Sequence, residues 1–304
     1  MSRSVEIVKK VFEHRSVDRL PRGELWLGTE LLRKANLEDN LDGHCTLIER
    51  LNQDILCLPL SNDMPMKKGL GYRYFSLKEL KEASKMSDLF LVALIDGPFQ
   101  RIGEEKGLME TLTAWKQHRD EVAKEYEKKR IEVNRLIVRS LGLSVNAIII
   151  AEDLAGERSP FFDPKHIEEM FASFYTWATS EIHRGDSYAL FHSCGNITRL
   201  IPQLVSYGFD GLAAIQHRAN DLFSLKERYG SNLTFMAGIE AEMLEAVEIP
   251  LSSLKEYRRL VGYLSQGGGF ILCSSSGLYS GDFLDRIHEL YRIADELFNN
   301  EFEL

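Results

Sequence analysis

The chain has 304 residues, 44% hydrophobic and 27% charged, with 46 acidic against 37 basic side chains and a formal net charge of −9. That is the composition of a folded globular protein rather than a disordered one. The acidic balance argues against nucleic acid or an anionic membrane surface as the main partner. The length allows two ordinary domains or one α/β barrel. Four cysteines in a chain this long form no disulfide framework and read as reduced thiols of a cytoplasmic protein. The longest clean apolar run, residues 89–95, is far too short for a membrane span. The N-terminal stretch MSRSVEIVKKVFEHRS carries charges throughout and has no signal-peptide core.

In chain order, a helix is predicted over 2–15, then strands over 24–27, 54–58 and 89–95. A long charged helix follows over 118–141, with Val122, Tyr126, Val133 and Ile137 as its buried stripe. Beyond it, strands and helices alternate. They are strand 147–151, helix 164–184, strand 188–192, helix 196–207, strand 211–215, helix 221–229, strand 234–238, helix 251–266 and strand 270–273. Asp163 and Pro164 mark one helix start, and Gly185, Gly208, Gly230 and Gly267 follow helix ends. Several strands are unbroken apolar runs, the pattern of parallel strands covered on both faces. Eight such strands predict one domain over 1–304, a (β/α)8 TIM barrel with an N-terminal helical extension. An open doubly wound sheet is disfavoured because no glycine-rich dinucleotide loop follows the first strand.

Barrel chemistry sits where strands end, and each strand end here turns polar after its apolar run. Strand 188–192 runs into His192-Ser193-Cys194-Gly195-Asn196. Residues two apart on a strand share a face, so His192 and Cys194 present an imidazole and a thiol to one spot, and both suit zinc. Cys273 stands at another strand end. Glu152 and Asp153 are neighbours, so on an extended strand only one points inward to act as an acid, a base or a ligand. Asp96, before Gly97-Pro98, is a third candidate catalytic carboxylate. Gln216 and His217 close the strand 211–215 and, with Asn196, are candidates for cofactor contact.

At these residues the chain resembles the uroporphyrinogen decarboxylase superfamily. The likeness runs through Asp18-Arg19-Leu20-Pro21, Ile95-Asp96-Gly97-Pro98-Phe99, Glu152-Asp153-Leu154 with Ser159-Pro160, and Phe191-His192-Ser193-Cys194-Gly195-Asn196. It continues through Phe235-Met236-Ala237-Gly238-Ile239 and Gly267-Gly268-Gly269-Phe270-Ile271-Leu272. The superfamily implies a (β/α)8 barrel and splits by chemistry. Its decarboxylases resemble one another in an Arg-Gln-Ala-Gly-Arg stretch after the first strand. Here the region reads Trp26-Leu27-Gly28-Thr29-Glu30-Leu31-Leu32-Arg33. Its corrinoid-dependent methyltransferases carry His-x-Cys-Gly and a later cysteine as zinc ligands, and His192 and Cys194 match the first part. The later cysteine commonly precedes a glycine, a position held here by Ser276, with Cys273 three residues earlier.

The resemblance therefore implies a zinc-dependent methyltransferase that moves a methyl group between a small molecule and the cobalt of a corrinoid. Cys273 is the expected third ligand, with Ser276 or a carboxylate (Glu152, Asp153 or Glu240) as alternatives. No Asp-x-His-x-x-Gly segment of the kind corrinoid carriers use is found. The nearest, Asp42-Gly43-His44, has Leu47 in the glycine's place, so the corrinoid is expected on a separate partner protein. The alternative is a decarboxylase of a porphyrinogen or another polycarboxylate. It needs arginines at the mouth, for which Arg101, Arg158, Arg199 and Arg218 are the candidates.

Overall fold

The computed structural model describes residues 2–61, 66–67 and 71–301. Seven parallel strands form its main sheet: β1 (Ile55–Leu60), β2 (Phe90–Asp96), β3 (Ala147–Ala151), β4 (Tyr188–His192), β5 (Gly211–Ile215), β6 (Thr234–Ile239) and β7 (Phe270–Ser274). They pair in chain order, each with the next, and helices fill the connections. Three predicted strands are reproduced to the residue, and four shift by one or two at their ends.

Strand alternation divides the core in two. Phe90, Val92 and Leu94 of β2, with Ala147, Ile149 and Ala151 of β3, join an inner cluster with Leu190, Met236 and Ile271. Leu91, Ala93, Ile95, Ile148 and Ile150 face the opposite way into the layer between sheet and helices. Every strand is thus apolar on both faces, which is why the sequence shows unbroken runs instead of alternation. The same parity continues past the strand ends and decides which polar residues reach the interior.

The predicted strand 24–27 is not a ladder strand. Its segment lies between the two edge strands and bonds to both sides. Asp54 N donates to Arg22 O (2.8 Å), Gly23 N to Leu272 O (3.1 Å) and Leu272 N to Pro21 O (2.9 Å). Only isolated bridges form, Arg22 with Leu272 and Leu27 with Leu278. The local chemistry explains the irregularity. Pro21 has no N–H to give, and the Asp54 carboxylate takes the Arg22 amide in place of a strand partner. At Gly23 the backbone runs so close to Ile55 that a Cβ would sit 2.5 Å from its side chain. Leu25 and Trp26 still enter the inner cluster.

Helix α1 (Arg3–Phe12) is capped by Ser2, whose hydroxyl accepts from Val5 N. Ile7, Val8, Val11 and Phe12 join the inner cluster. Val11 O accepts from Gly269 N, just ahead of β7, so α1 covers the end of the sheet where strands begin. The predicted helix 164–184 is two helices, Pro164–Met170 and Ala172–Arg184. The predicted helix 196–207 shortens to Ile201–Ser206 because Asn196 and its neighbours are held in turns.

Candidate metal centre

His192 ends β4, and Cys194 lies two residues on, on the same inward parity. Asp153 follows β3, where Ala151 pairs with His192, and inherits the inward face of Ile149 and Ala151. One ligating atom from each of Asp153, His192 and Cys194 lies within 4.8 Å of the others. Cys194 Sγ is 3.9 Å from His192 Nε2.

Each member is held by a second contact. His192 Nδ1 lies 2.8 Å from the Ala213 carbonyl, an acceptor only, so Nδ1 carries the proton and Nε2 presents its lone pair. The Trp26 ring meets the imidazole edge-on at 4.9 Å. Cys194 N donates to Asp153 Oδ1 (2.9 Å), and Asp153 N donates to Gln100 Oε1 (3.0 Å). Gly195 then turns at φ +81°, packed so tightly that a Cβ would lie 2.5 Å from Gly156 O. Its amide donates to Gln216 Oε1 (2.7 Å). Buried Asn220 bonds Gly195 O, Gln216 O and Ile197 N, tying this loop to the one after β5.

The other candidates fall around this group. Glu152 has the outward parity. Its carboxylate accepts from Gln100 N (2.7 Å) and Phe99 N (3.4 Å), at the start of helix α2 (Pro98–Lys106). Burial raises its carboxyl to about 8 in spite of those donors. Glu152 therefore lies over a helix N-terminus and outside the group of Asp153, His192 and Cys194. Asp96 is buried and accepts from the Tyr74 hydroxyl, while its carbonyl takes Arg101 Nε. Asn196 closes a turn through Thr198 N. His217 and Glu240 pair directly, with Nδ1 2.9 Å from Oε1, and Ser275 Oγ donates to the other Glu240 oxygen. Burial works against the Glu240 carboxylate, yet the contacts with His217 hold its pKa below the ordinary carboxylate value. A cleft of about 320 Å³ beside this pair is lined by Glu157, Arg158, Gln216, Arg218, Glu240 and Glu242.

Cys273, the expected third ligand, is not in the group. Strand β7 continues unbroken through Ser274, so no bulge brings this thiol to the mouth. It lies fully buried in the inner apolar cluster with Cys57, near Glu24 and against the Ser274 carbonyl. Burial pushes its pKa well above the usual thiol value, which disfavours the thiolate a metal needs. Ser276 Oγ bonds to Gly277 O and its carbonyl to Tyr72 OH. The third member of the group is the Asp153 carboxylate. Sequence reasoning missed Trp26, Gln100, Asn220 and the Ala213 carbonyl. Trp26 had a signal, an aromatic at an inward position of the first predicted strand. A backbone carbonyl leaves none.

Of the candidate arginines, Arg158 and Arg218 share the cleft, and Arg101 and Arg199 do not line it. Arg101 is buried against Asp96, Arg218 pairs with Glu242, Arg158 lines the cleft and Arg199 is exposed.

No protein-family model matches the chain, and no curated protein matches it in sequence. Solved structures do match in shape. A methyltransferase from Methanosarcina mazei aligns over 97% of this chain and 99% of its own, with a TM-score of 0.74 and 13% identity. A protein from Listeria monocytogenes described as a vitamin-B12-independent methionine synthase aligns over 92% and 96%, with a TM-score of 0.56 and 10% identity. At these identities the likeness is one of fold alone.

Proposed function

We propose that this chain is a zinc-dependent methyltransferase of the cytoplasm. In this reading it passes a methyl group between a small molecule and the cobalt of a corrinoid carried by a separate protein. The work is done by one closed barrel domain, with residues 20–28 completing the ring between β1 and β7. The observation that carries the reading is the convergence of Asp153, His192 and Cys194 at the strand ends, with His192 held in the tautomer that leaves Nε2 as donor. The shape shared with the M. mazei methyltransferase supports it.

The donor set fits zinc. It offers one nitrogen, one sulfur and one oxygen, the ligand types zinc accepts, and three protein ligands leave a position for substrate. The Asp153 carboxylate and Cys194 thiolate together offset a 2+ charge, so the loaded site buries no net charge. Bound zinc would activate a substrate thiol as thiolate, or polarise the heteroatom that gives up its methyl group. The chain's own residues do the rest. Ala213 O and Trp26 orient His192, and the Cys194 amide and Gln100 orient Asp153. The His217–Glu240 pair stands at the neighbouring strand ends, where it can take or return the proton of a substrate thiol or amine. Gln216 and Asn196 shape the loops over which the corrinoid protein would dock.

The test supplies a methylated corrinoid protein with thiols and, in the reverse direction, a reduced one with methylamines, methyl ethers and methanol. The cobalt's visible absorbance follows the transfer. The reading predicts transfer with a corrinoid protein far faster than with free methylcobalamin. Tight stoichiometric cobalamin binding by this chain alone, or turnover of a porphyrinogen without metal, would contradict it.

A further inference from the structure

The carbonyl that holds His192 belongs to an irregular stretch of β5. Leu212 pairs with Phe235 and Ile215 with Ala237, so Ala213 and Ala214 together face the single residue Met236. This is a bulge, one residue longer on β5 than on β6. On the other side, pairing with β4 stops at Phe191 and Leu212, just short of His192 and Ala213. Ala214 takes φ +53°, left-handed backbone that residues with a Cβ avoid. It does so fully buried, inside a strand, without being glycine. Strain of this kind persists only where the surroundings enforce it, and it gathers at functional sites.

Resting on the metal reading above, we propose that Ala214 is a positioning residue for His192. Its left-handed turn takes the Ala213 carbonyl out of strand pairing and aims it inward, where it meets His192 Nδ1 at 2.8 Å. A regular β5 would direct that carbonyl along the sheet, and the imidazole would be free to carry its proton on either nitrogen. With the bulge, the proton is confined to Nδ1 and Nε2 remains the donor facing Cys194 and Asp153. The bulge thus converts one backbone conformation on β5 into the tautomer of a side chain on the neighbouring strand β4.

The experiment is nitrogen NMR of histidine-labelled, metal-free protein at about pH 8, where an ordinary imidazole is neutral. It is run on the wild type, Ala214→Gly and Ala214→Val, with zinc affinity and urea stability measured in parallel. Glycine adopts left-handed backbone freely, so Ala214→Gly keeps the proton on His192 Nδ1 and is at least as stable as the wild type. Valine resists this conformation, so Ala214→Val shows a substantial Nε2-protonated population and about 10–100-fold weaker zinc binding. A wild-type His192 protonated on Nε2 overturns the proposal. So does a folded Ala214→Val protein with unchanged tautomer. Should the valine variant not fold, a loss of stability in Ala214→Gly, as expected of an ordinary strand alanine, is equally fatal. A wild type with the Nδ1 proton in place that binds no zinc upholds the role of Ala214 and removes the metal reading instead.

Discussion

At the residue scale, the outcome at strand ends turns on parity. Glu152 and Asp153 are adjacent and chemically alike, yet one lies over a helix start and the other beside His192 and Cys194. The sequence shows the pair, and only the strand's phase separates them. The same argument applies to Cys273, which has the inward parity but lies within the apolar interior rather than at the mouth. Two substitutions follow. Asp153→Ala is expected to weaken zinc binding by more than the roughly 10–100-fold that loss of a ligand's supporting partner costs. Cys273→Ser is expected to leave it within about twofold. Competition against a chromophoric chelator measures both, and equal losses in the two variants would refute the assignment of Asp153. A third expectation concerns Glu24, fully buried and accepting from Ser274 and Tyr291, with burial raising its carboxyl to about 7 from an ordinary value of 4.5. A carboxyl raised on folding binds its proton more tightly in the native state. Its contribution is therefore complete below pH 4.5 and is lost as pH rises through about 7. Urea unfolding between these limits should show stability falling with pH, and Glu24→Gln should flatten that slope.

At the scale of elements, apolar runs located the strands well because both faces of each are covered. Helix limits were legible where a cap was present, as at Asp221, whose side chain accepts from Phe223 N and Ser224 N. What could not be read was irregular backbone. The segment 21–28, the shortened helix after Asn196 and the bulge at Ala214 depend on tertiary hydrogen bonds with no local pattern. His192 and Cys194 were legible from their spacing of two, whereas the Ala213 carbonyl and Asn220 that hold this loop were not. Gly97 shows how closely elements fit around the centre. A Cβ there would lie 2.3 Å from the Glu152 carboxyl carbon. Gly97→Ala is expected to displace Glu152 from the Phe99 and Gln100 amides and to cost about 1–3 kcal/mol, as overpacking does. Chemical denaturation would check this, and an unchanged midpoint would show that the carboxylate is not confined.

At the scale of the whole molecule, the two ends of the sheet have opposite characters. Where strands begin, α1 seals the interior with apolar side chains, and Phe12 stacks on Tyr188 at 4.1 Å. Where strands end, Asp153, His192 and Cys194 converge, and a separate cleft is lined by carboxylates and arginines. This division matches parallel barrels generally, in which one end is built for stability and the other for chemistry. Phe12→Ala is therefore expected to cost about 3–5 kcal/mol in stability while zinc affinity per folded molecule stays the same. Among the described residues no helix is long and apolar enough to cross a membrane.

The central claim is a zinc centre at the strand ends, and metal analysis tests it most directly. Protein purified from zinc-supplemented medium is predicted to carry about one zinc per chain, and the His192→Ala, Cys194→Ala double variant, equally folded by circular dichroism, to carry essentially none. A wild-type chain without zinc, or a double variant that keeps it, would contradict the account.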